Sequence, residues 1–487
     1  MKQVYRVEQV RAAELATGEA LTSGRLMALA AAGLAREVAT ELAERGRRVF
    51  GSRILLVAGP GDNGGDGLHA AALLARRGAR ATAWCCFPTA HAGGSLALRA
   101  AGGRFVGEAD ARAEVAQTDL VIDAVFGIGA RPGLPPAVAA LAAECRARGV
   151  PVVAVDLPSG LEADSCRPAP ATEAGPSSFW ADRTVSFGAW KPCHVFQPAR
   201  DRCGARRLID IGLELATPDA EEIELADLAA WWPWPGPTSD KYSRGVVGID
   251  TGSADYPGAA VLGVLGATCA GAGYVVYVGP ARAAVLAAAP NVVCPPAPPG
   301  PARPRVDAWL IGSGWGARPD AATRLAEVLA EGVPVVIDAE GIGVFASVAE
   351  GGAPGGPPVL LTPHAGELAR LLGLTREQVE ADPIGAVREA CHRTGATVLL
   401  KGATQYVATP GRATTGVCFP GPAWTAQAGS GDVLAGIAAA LVAARLPPAL
   451  AAGLAGSIQA LAAARHPGPY PPAELAGFLP EVIASLR

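Results

Sequence analysis

Lysine, asparagine and methionine are scarce in this chain. Its 487 residues hold four lysines (Lys2, Lys191, Lys241 and Lys401), two asparagines (Asn63 and Asn291) and two methionines. Codon bias, or a hot habitat that disfavours thermolabile side chains, produces such a composition. In either case a surviving lysine or asparagine is expected to do something that Arg or Asp cannot. No two of the ten cysteines are spaced Cys-x-x-Cys; Cys85 and Cys86 are adjacent. That excludes a thiolate zinc site and a disulfide framework, and leaves buried apolar thiols. A block of basic residues is missing and the net charge is only -4, which argues against nucleic acid as a partner. The longest uncharged apolar helix candidate, residues 433–444, is too short to span a bilayer. Met1 to Arg6 carries charge and no apolar stretch, so no signal peptide is expected. The expectation is a soluble, cytoplasmic protein with no nucleic acid and no membrane partner.

What is present is apolar: 50% of the residues are hydrophobic and 18% charged, enough for two or three domains with large cores. Residues 7–45 predict one or two amphipathic helices with Val7, Val10, Leu15, Leu26, Leu29, Leu34 and Val38 facing inward. Apolar strands at 53–58, 79–86, 120–124 and 152–155 then alternate with helices near 68–77, 95–101 and 137–148, and strands at 184–187 and 207–211 follow. That rhythm predicts a mostly parallel sheet covered on both faces. It breaks at 214–240, where Glu221, Glu222, Glu224 and Asp227 give way to Trp231-Trp232-Pro233-Trp234-Pro235-Gly236-Pro237. A domain boundary is expected there, with the tryptophans pinning the linker between domains. A second α/β series runs through strands at 246–250, 274–278, 308–311, 335–337, 359–361, 397–400 and 405–408, with surface loops at 295–304 and 350–358.

The chemistry-bearing residues stand where strands end. Gly59-Pro60-Gly61-Asp62-Asn63-Gly64-Gly65-Asp66-Gly67 fits G-x-G-x-x-G, but the second strand lacks the acidic ribose ligand and the loop lacks a P-loop lysine. It is neither a dehydrogenase fingerprint nor a Walker site, yet it is a glycine loop on the edge where α/β sheets bind ligands. Asp123 and Asp156-Leu157-Pro158-Ser159 end later strands on the same edge, so Asn63, Asp66, Asp123, Asp156 and Ser159 either converge on a hard cation or merely cap loops. Near the C-terminus, Gly429-Ser430-Gly431-Asp432 opens an apolar helix. Its backbone N–H groups form an anion hole with Asp432 as a base, or Asp432 is simply the helix N-cap. His364, at a strand end between Pro363 and Ala365-Gly366-Glu367, and Lys401-Gly402-Ala403-Thr404-Gln405, between two strands, complete the set.

Together these motifs resemble the NAD(P)H-hydrate repair enzymes. Residues 61–67, 123–127 and 156–160 resemble the epimerase motifs; Thr362-Pro363-His364 with Gly366-Glu367, Lys401-Gly402 and Gly429-Ser430-Gly431-Asp432 resemble those of the hydrate dehydratase. The resemblance implies a Rossmann-like three-layer epimerase domain at 1–218 and a ribokinase-like α/β dehydratase domain at 219–487. In the first it implies potassium on Asn63, Asp123 and Ser159, and the hydrate along Asp62, Asn63, Gly64, Gly65, Asp66, the loop Gly127, Ile128, Gly129, Ala130, Arg131, Pro132, Gly133, and Asp156. In the second it implies hydrate contacts from Ala259, Gly314, His364 and Asp432, and nucleotide contacts from Lys401, Gly402, Ala403, Thr404, Gln405 and Gly431. Asp432 would be the catalytic base, ADP the co-substrate, Mg2+ the metal on its phosphates, NADH hydrate and NADPH hydrate the substrates, and the assembly a homo-oligomer. Departures from the usual pattern are Asp62 for Asn, Ser313 for Pro, Glu340 for Asp and Gln405 for Thr. The rivals are a vitamin or sugar kinase fused to an α/β module, and a first domain reduced to an interaction module.

Overall fold

Short apolar runs bounded by glycine become strands, and the alanine-rich segments between them become helices. The computed structural model describes residues 1–129, 131–295, 305–348 and 356–487, so the loops expected at 295–304 and 350–358 fall mostly outside the described residues. The chain divides into two compact units, Gln3–Asp219 on the one hand and Met1–Lys2 with Ala220–Arg487 on the other.

A short strand β1 (Lys2–Val4) precedes helices Val7–Ala16, Glu19–Thr22 and Arg25–Glu44. The first unit's sheet is built from β2 (Arg53–Ala58), β3 (Arg80–Cys85), β4 (Arg104–Phe105), β5 (Leu120–Ala124), β6 (Val152–Val155), β7 (Arg183–Phe187) and β8 (Ala205–Ile209). The order is β4-β3-β2-β5-β6-β7-β8, and every neighbouring pair is parallel. Alternate residues feed opposite faces. Ile54, Leu56, Ile122 and Val153 join one core with Leu68 and Leu74, whereas Leu55, Val57, Val121 and Val152 join another with Leu141. The strand order reverses between β2 and β5, the place on an open α/β sheet where ligands bind.

The Arg25–Glu44 helix corrects the predicted inward face. Leu26, Leu34 and Val38 are buried, but Leu29 is 39% exposed, and Leu15 on the first helix is 71% exposed. The inner stripe contains Glu37 and Glu41, which the periodicity reads as polar face. Arg183 of β7, itself buried, donates to Glu41 Oε2 at 2.9 Å, Glu37 Oε2 at 3.1 Å and Glu44 Oε2 at 2.7 Å. A buried cation thus accounts for the carboxylates on the inner face.

The second unit contains β9 (Ala220–Glu222), β10 (Val246–Asp250), β11 (Tyr274–Tyr277), β12 (Ala308–Ile311), β13 (Val335–Ile337), β14 (Val359–Leu361), β15 (Thr397–Leu400), β16 (Tyr406–Ala408) and β17 (Thr415–Val417). They run in the order β9-β17-β16-β15-β14-β13-β12-β10-β11. From β11 to β15 all pairs are parallel, while β15–β16 and β16–β17 are antiparallel. Helices Pro257–Cys269 and Ser430–Ala443 cross at glycines. A Cβ on Gly266 would lie 2.2 Å from Val433 O, and one on Gly436 would lie 2.1 Å from Gly263 O, so the two backbones touch. The tryptophan stretch is part of this unit rather than a free connection. Trp232 packs with Leu228 and Ile223 in its core, and Trp234 Nε1 donates to Ala229 O at 3.1 Å. Among the described residues no helix is long and apolar enough to cross a membrane.

Candidate functional site

In the first unit the glycine loop is dictated by close passage. A Cβ on Gly59 would lie 1.9 Å from Val125 O, and one on Gly64 would lie 2.1 Å from Gly59 O. This lets the helix start at Asp62 with Gly61 as its N-cap, placing Asn63 and Asp66 in its first turns. Asn63 Nδ2 and Asp66 Oδ1 are buried without a hydrogen-bond partner. Burial, then the charges of Asp156, Asp62 and Glu14, push the Asp66 carboxyl well above the usual range.

Asp123 ends β5 and is fully buried. It accepts from Ser159 N at 2.7 Å and from Val125 N at 3.4 Å. Ser159 Oγ in turn accepts from Phe126 N at 2.9 Å. Burial raises the Asp123 carboxyl to about 7 in spite of these bonds. No ion pair among the described residues reaches it. A buried carboxylate with no cation is costly, and a hard cation taking oxygen from Asp123, Ser159 and Asn63 would offset that cost. Gly127 passes close to Asn63, since its Cβ would lie 3.1 Å from Asn63 Oδ1. The loop of Ile128, Gly129, Arg131, Pro132 and Gly133 is tied to the Asp156 turn by Gly133 N donating to Gly160 O at 2.9 Å. Ala130 lies outside the described residues. Among the described residues no three His, Cys, Asp or Glu side chains converge to hold a metal ion.

Three residues of this site escape motif reading. Lys191 Nζ donates to Asp156 Oδ1 at 2.6 Å. His194 Nε2 bonds Asp156 O at 2.7 Å. Glu14, from the Val7–Ala16 helix, has its carboxyl raised by burial, with Lys191 opposing and Asp156 adding to the rise. The one available signal was the scarcity of lysine.

In the second unit β10, β12, β13, β14 and β15 bring their C-terminal ends to one edge. Asp432 is not the N-cap: Gly429, at φ 91°, caps the Ser430–Ala443 helix and Asp432 stands in its first turn. Burial, then the charge of Asp338, raises the Asp432 carboxyl to about 6, with Lys401 and a Ser313 hydrogen bond opposing. Asp338 is buried and organises its neighbours. Its Oδ1 accepts from Lys401 Nζ at 2.7 Å and Thr362 Oγ1 at 2.8 Å, and its Oδ2 from Ser313 Oγ at 3.0 Å. Burial alone would lower the Lys401 ammonium, but Asp338, Glu367 and Asp432 carry it above its ordinary value. A Cβ on Gly431 would lie 3.1 Å from Lys401 Nζ, so the helix start and the lysine face one space. Gly402 and Ala403 are exposed and Thr404 half-buried. Gln405 Oε1 and Ser430 Oγ are buried without a partner.

The loops after β10 and β12 abut: Gly252 N donates to Ser313 O at 2.7 Å, and a Cβ on Gly314 would lie 2.6 Å from Ala259 Cβ. His364, 56% exposed, caps a helix. Its Nδ1 accepts from Gly366 N at 3.0 Å and Glu367 N at 3.3 Å, and Glu367 Oε2 accepts from His364 N at 2.8 Å. Asp250, missed in the sequence, is buried and paired with Arg318 at 2.8 Å and Arg324 at 2.6 Å. Lys241 is exposed, with its ammonium 5.0 Å and 5.2 Å from the Tyr242 and Tyr274 ring centres. Chemically, this edge offers a half-buried carboxylate with a raised proton affinity beside a helix N-terminus and a lysine, the parts of a phosphoryl-transfer centre.

Comparison with known proteins matches both halves in the same order. The profile of the NAD(P)H-hydrate dehydratase family matches residues 247–476, and that of the YjeF-related protein N-terminus matches residues 23–193. The bifunctional NAD(P)H-hydrate repair enzyme Nnr of Mycobacterium tuberculosis is 43% identical over 456 residues, covering 93% of this chain and 91% of the relative. Its Mycobacterium leprae counterpart is 43% identical over 476 residues, covering 96% of each. A Bacillus subtilis ADP/ATP-dependent NAD(P)H-hydrate dehydratase, co-crystallised with ATP/Mg2+, is 22% identical, covering 54% of this chain and 98% of that one, with a TM-score of 0.49. With such identity over nearly its whole length, the chain belongs to the family of bifunctional NAD(P)H-hydrate repair enzymes.

Proposed function

We propose that the chain restores damaged nicotinamide cofactor in two steps. It is an isomerase that interconverts the R and S hydrates of NADH and NADPH, and a lyase that dehydrates the S form at the expense of ADP. We assign the epimerase to residues 1–218 and the dehydratase to 219–487. The observation that carries the reading is Asp432, a half-buried carboxylate with a raised proton affinity at a glycine-capped helix start, beside Lys401.

In the dehydratase, Asp432 takes the proton of the hydrate's ring hydroxyl as that oxygen attacks the terminal phosphoryl of ADP. The N–H groups of Gly429 to Asp432 stabilise charge on the moving phosphoryl. The ring nitrogen's electrons then expel phosphate to give a C=N cation, and loss of a proton from the neighbouring ring carbon restores NADH or NADPH, with AMP as the other product. Lys401, Gly402, Ala403, Thr404, Gln405 and Gly431 hold the nucleotide, and the unpartnered Gln405 Oε1 and Ser430 Oγ support that assignment. Ala259, Gly314 and His364 line the hydrate. A bound Mg2+ would neutralise the nucleotide phosphates. Glu367, whose carboxylate is bonded to His364, would order water around the ion rather than bind it directly.

In the epimerase, Asn63, Asp123 and Ser159 would hold potassium, which would anchor the loops around the hydrate. The uncompensated Asp123 carboxylate supports this. The hydrate runs along Asp62, Asn63, Gly64, Gly65, Asp66, the 127–133 loop and Asp156. Turnover of mixed R and S hydrate with ADP, and then with ATP, tests the whole reading. Regenerated reduced-nicotinamide absorbance is expected; a stable phosphorylated product would instead indicate a kinase.

A further inference from the structure

Strand β7 leads into Lys191, and its neighbour β6 leads into Asp156. Lys191 is 1% exposed, and its ammonium is fully engaged. It donates to Asp156 Oδ1 at 2.6 Å, Ser186 Oγ at 3.0 Å and Phe187 O at 3.2 Å. Asp156 has a φ of 65°, a left-handed conformation that a non-glycine residue keeps only when its surroundings enforce it. Its N–H donates to Val185 O at 2.8 Å, and its carbonyl oxygen is held by His194 Nε2 at 2.7 Å. The other ring nitrogen, Nδ1, accepts from Lys191 N at 3.0 Å, so the proton sits on Nε2. Burial, then the Lys191 charge, lowers His194 to about 3, so this tautomer persists at neutral pH. Lys191 and His194 therefore grip Asp156 by side chain and backbone at once. Asp156 Oδ2 is left without a hydrogen bond among the described residues. The Asp156 charge acts on Asp66 in the glycine loop and on Glu14, which puts this carboxylate in the same cleft as the predicted hydrate contacts.

We propose that Lys191 is a positioning residue for epimerisation, holding Asp156 as an anion with one oxygen free beside the hydroxyl-bearing ring carbon. The proposal rests on reading the first unit as the epimerase. Inverting that carbon requires its C–O bond to break. The hydroxyl takes up a proton and leaves as water while the lone pair of the adjacent ring nitrogen forms a C=N bond. Water then adds to the opposite face and gives up one proton, so protons and electrons balance. The cation between these steps is stabilised by an anion already in place, without reorganisation. Lys191 has no donor left for the substrate, so its influence passes through Asp156.

The test uses the full chain and the variants Asp156→Asn, Lys191→Met, Lys191→Arg and Asp156→Asn/Lys191→Met. Epimerisation of pure R hydrate is measured as kcat and KM. Thermal melting and dehydration of pure S hydrate with ADP, a reaction in which Lys191 takes no part, report folding. Asp156→Asn should lose roughly 100-fold or more in kcat, the scale of losing one preorganised charge-stabilising group, with little change in KM. Lys191→Met should also lose kcat rather than KM, and Lys191→Arg should recover part of it. Because Lys191 acts through Asp156, the double variant should be no slower than Asp156→Asn alone. It also removes both buried charges, so it folds even if Lys191→Met does not. Normal kcat in Lys191→Met, or a double variant far slower than Asp156→Asn, would overturn the proposal, as would losses that only follow the melting curve. A wild-type chain that does not epimerise would sink the epimerase reading along with it.

Discussion

Replacing Asp432 by Asn should abolish dehydration and at the same time stabilise the second unit. Burial and Asp338 raise the Asp432 carboxyl from 3.8 to about 6. Between those values the folded chain holds a proton that the unfolded chain has released, so stability falls as pH rises through that window. Two decades of proton affinity correspond to roughly 3 kcal/mol. Partial exposure and screening reduce the expected gain from Asn to ~1–2 kcal/mol, a rise in melting temperature of several degrees. The gain should be complete at pH 8 and vanish near roughly pH 3, below both values, where the wild-type carboxyl is protonated in folded and unfolded chain alike. Removing the base should lower kcat by ~10²–10⁴ while nucleotide binding survives. Wild-type kcat/KM should in turn fall about tenfold per pH unit below about 6, as the base of the free enzyme is protonated. The checks are melting curves of both proteins at high and low pH, calorimetric ADP binding and S-hydrate turnover. Near-normal turnover would reject Asp432 as the base, and a lower melting temperature at pH 8 would reject the electrostatic account.

Three further outcomes follow from charges the fold has buried. Lys401→Ala leaves Asp338 without its cation and should cost ~3–5 kcal/mol; on the folded fraction the KM for ADP should rise more than that for the hydrate, and equal rises would point to a folding defect. Adding Asp338→Asn should restore the melting temperature but not the KM for ADP. Asp123→Ala should leave dehydration intact but stop R hydrate from being drawn in, so a racemic mixture stalls when the S form is exhausted, whatever the potassium concentration; prompt completion would remove the main support for the epimerase assignment. Arg183→Met takes the buried cation from Glu37 and leaves Glu41 with Arg45 alone, and should destabilise the first unit by ~1–3 kcal/mol; an unchanged melting curve would show that Arg45 and Arg207 suffice to hold those glutamates.

Much of the sheet architecture could be read in the sequence, because strands buried on both faces are continuous apolar runs. Residues 53–58 and 152–155 illustrate this, and their glycine-rich exits flagged the ligand-bearing edge. Elements of two or three residues such as β4, β9 and β17 carry no period and were missed. Trp231 to Trp234 read as a pinned linker because prolines punctuate them, and Trp232 belongs to the second unit's core with Leu228 and Ile223. Lys191 could not be matched to its role from local pattern, since Asp156 lies 35 residues away on a neighbouring strand end. Asp338 was visible only as part of a departure from the usual pattern at Glu340; that Lys401, Thr362 and Ser313 all converge on it is a product of strand order. His364 stood out as an isolated histidine, but its role as a helix cap depends on a backbone turn that the sequence shows only indirectly.

The crossing of helices Pro257–Cys269 and Ser430–Ala443 leaves no side-chain layer between them, because Gly266 and Gly436 set backbone against backbone. Side chains can change rotamer and let two helices slide, whereas main chains in contact cannot yield in that way. Ala259 lies about one turn before Gly263, and Asp432 comes immediately before Val433, so both predicted hydrate contacts belong to a single stiff joint. On the roles proposed for Ala259 and Asp432, the wall the hydrate rests on and the group that receives its proton travel together. Any closure over the nucleotide therefore has to come from segments outside that joint.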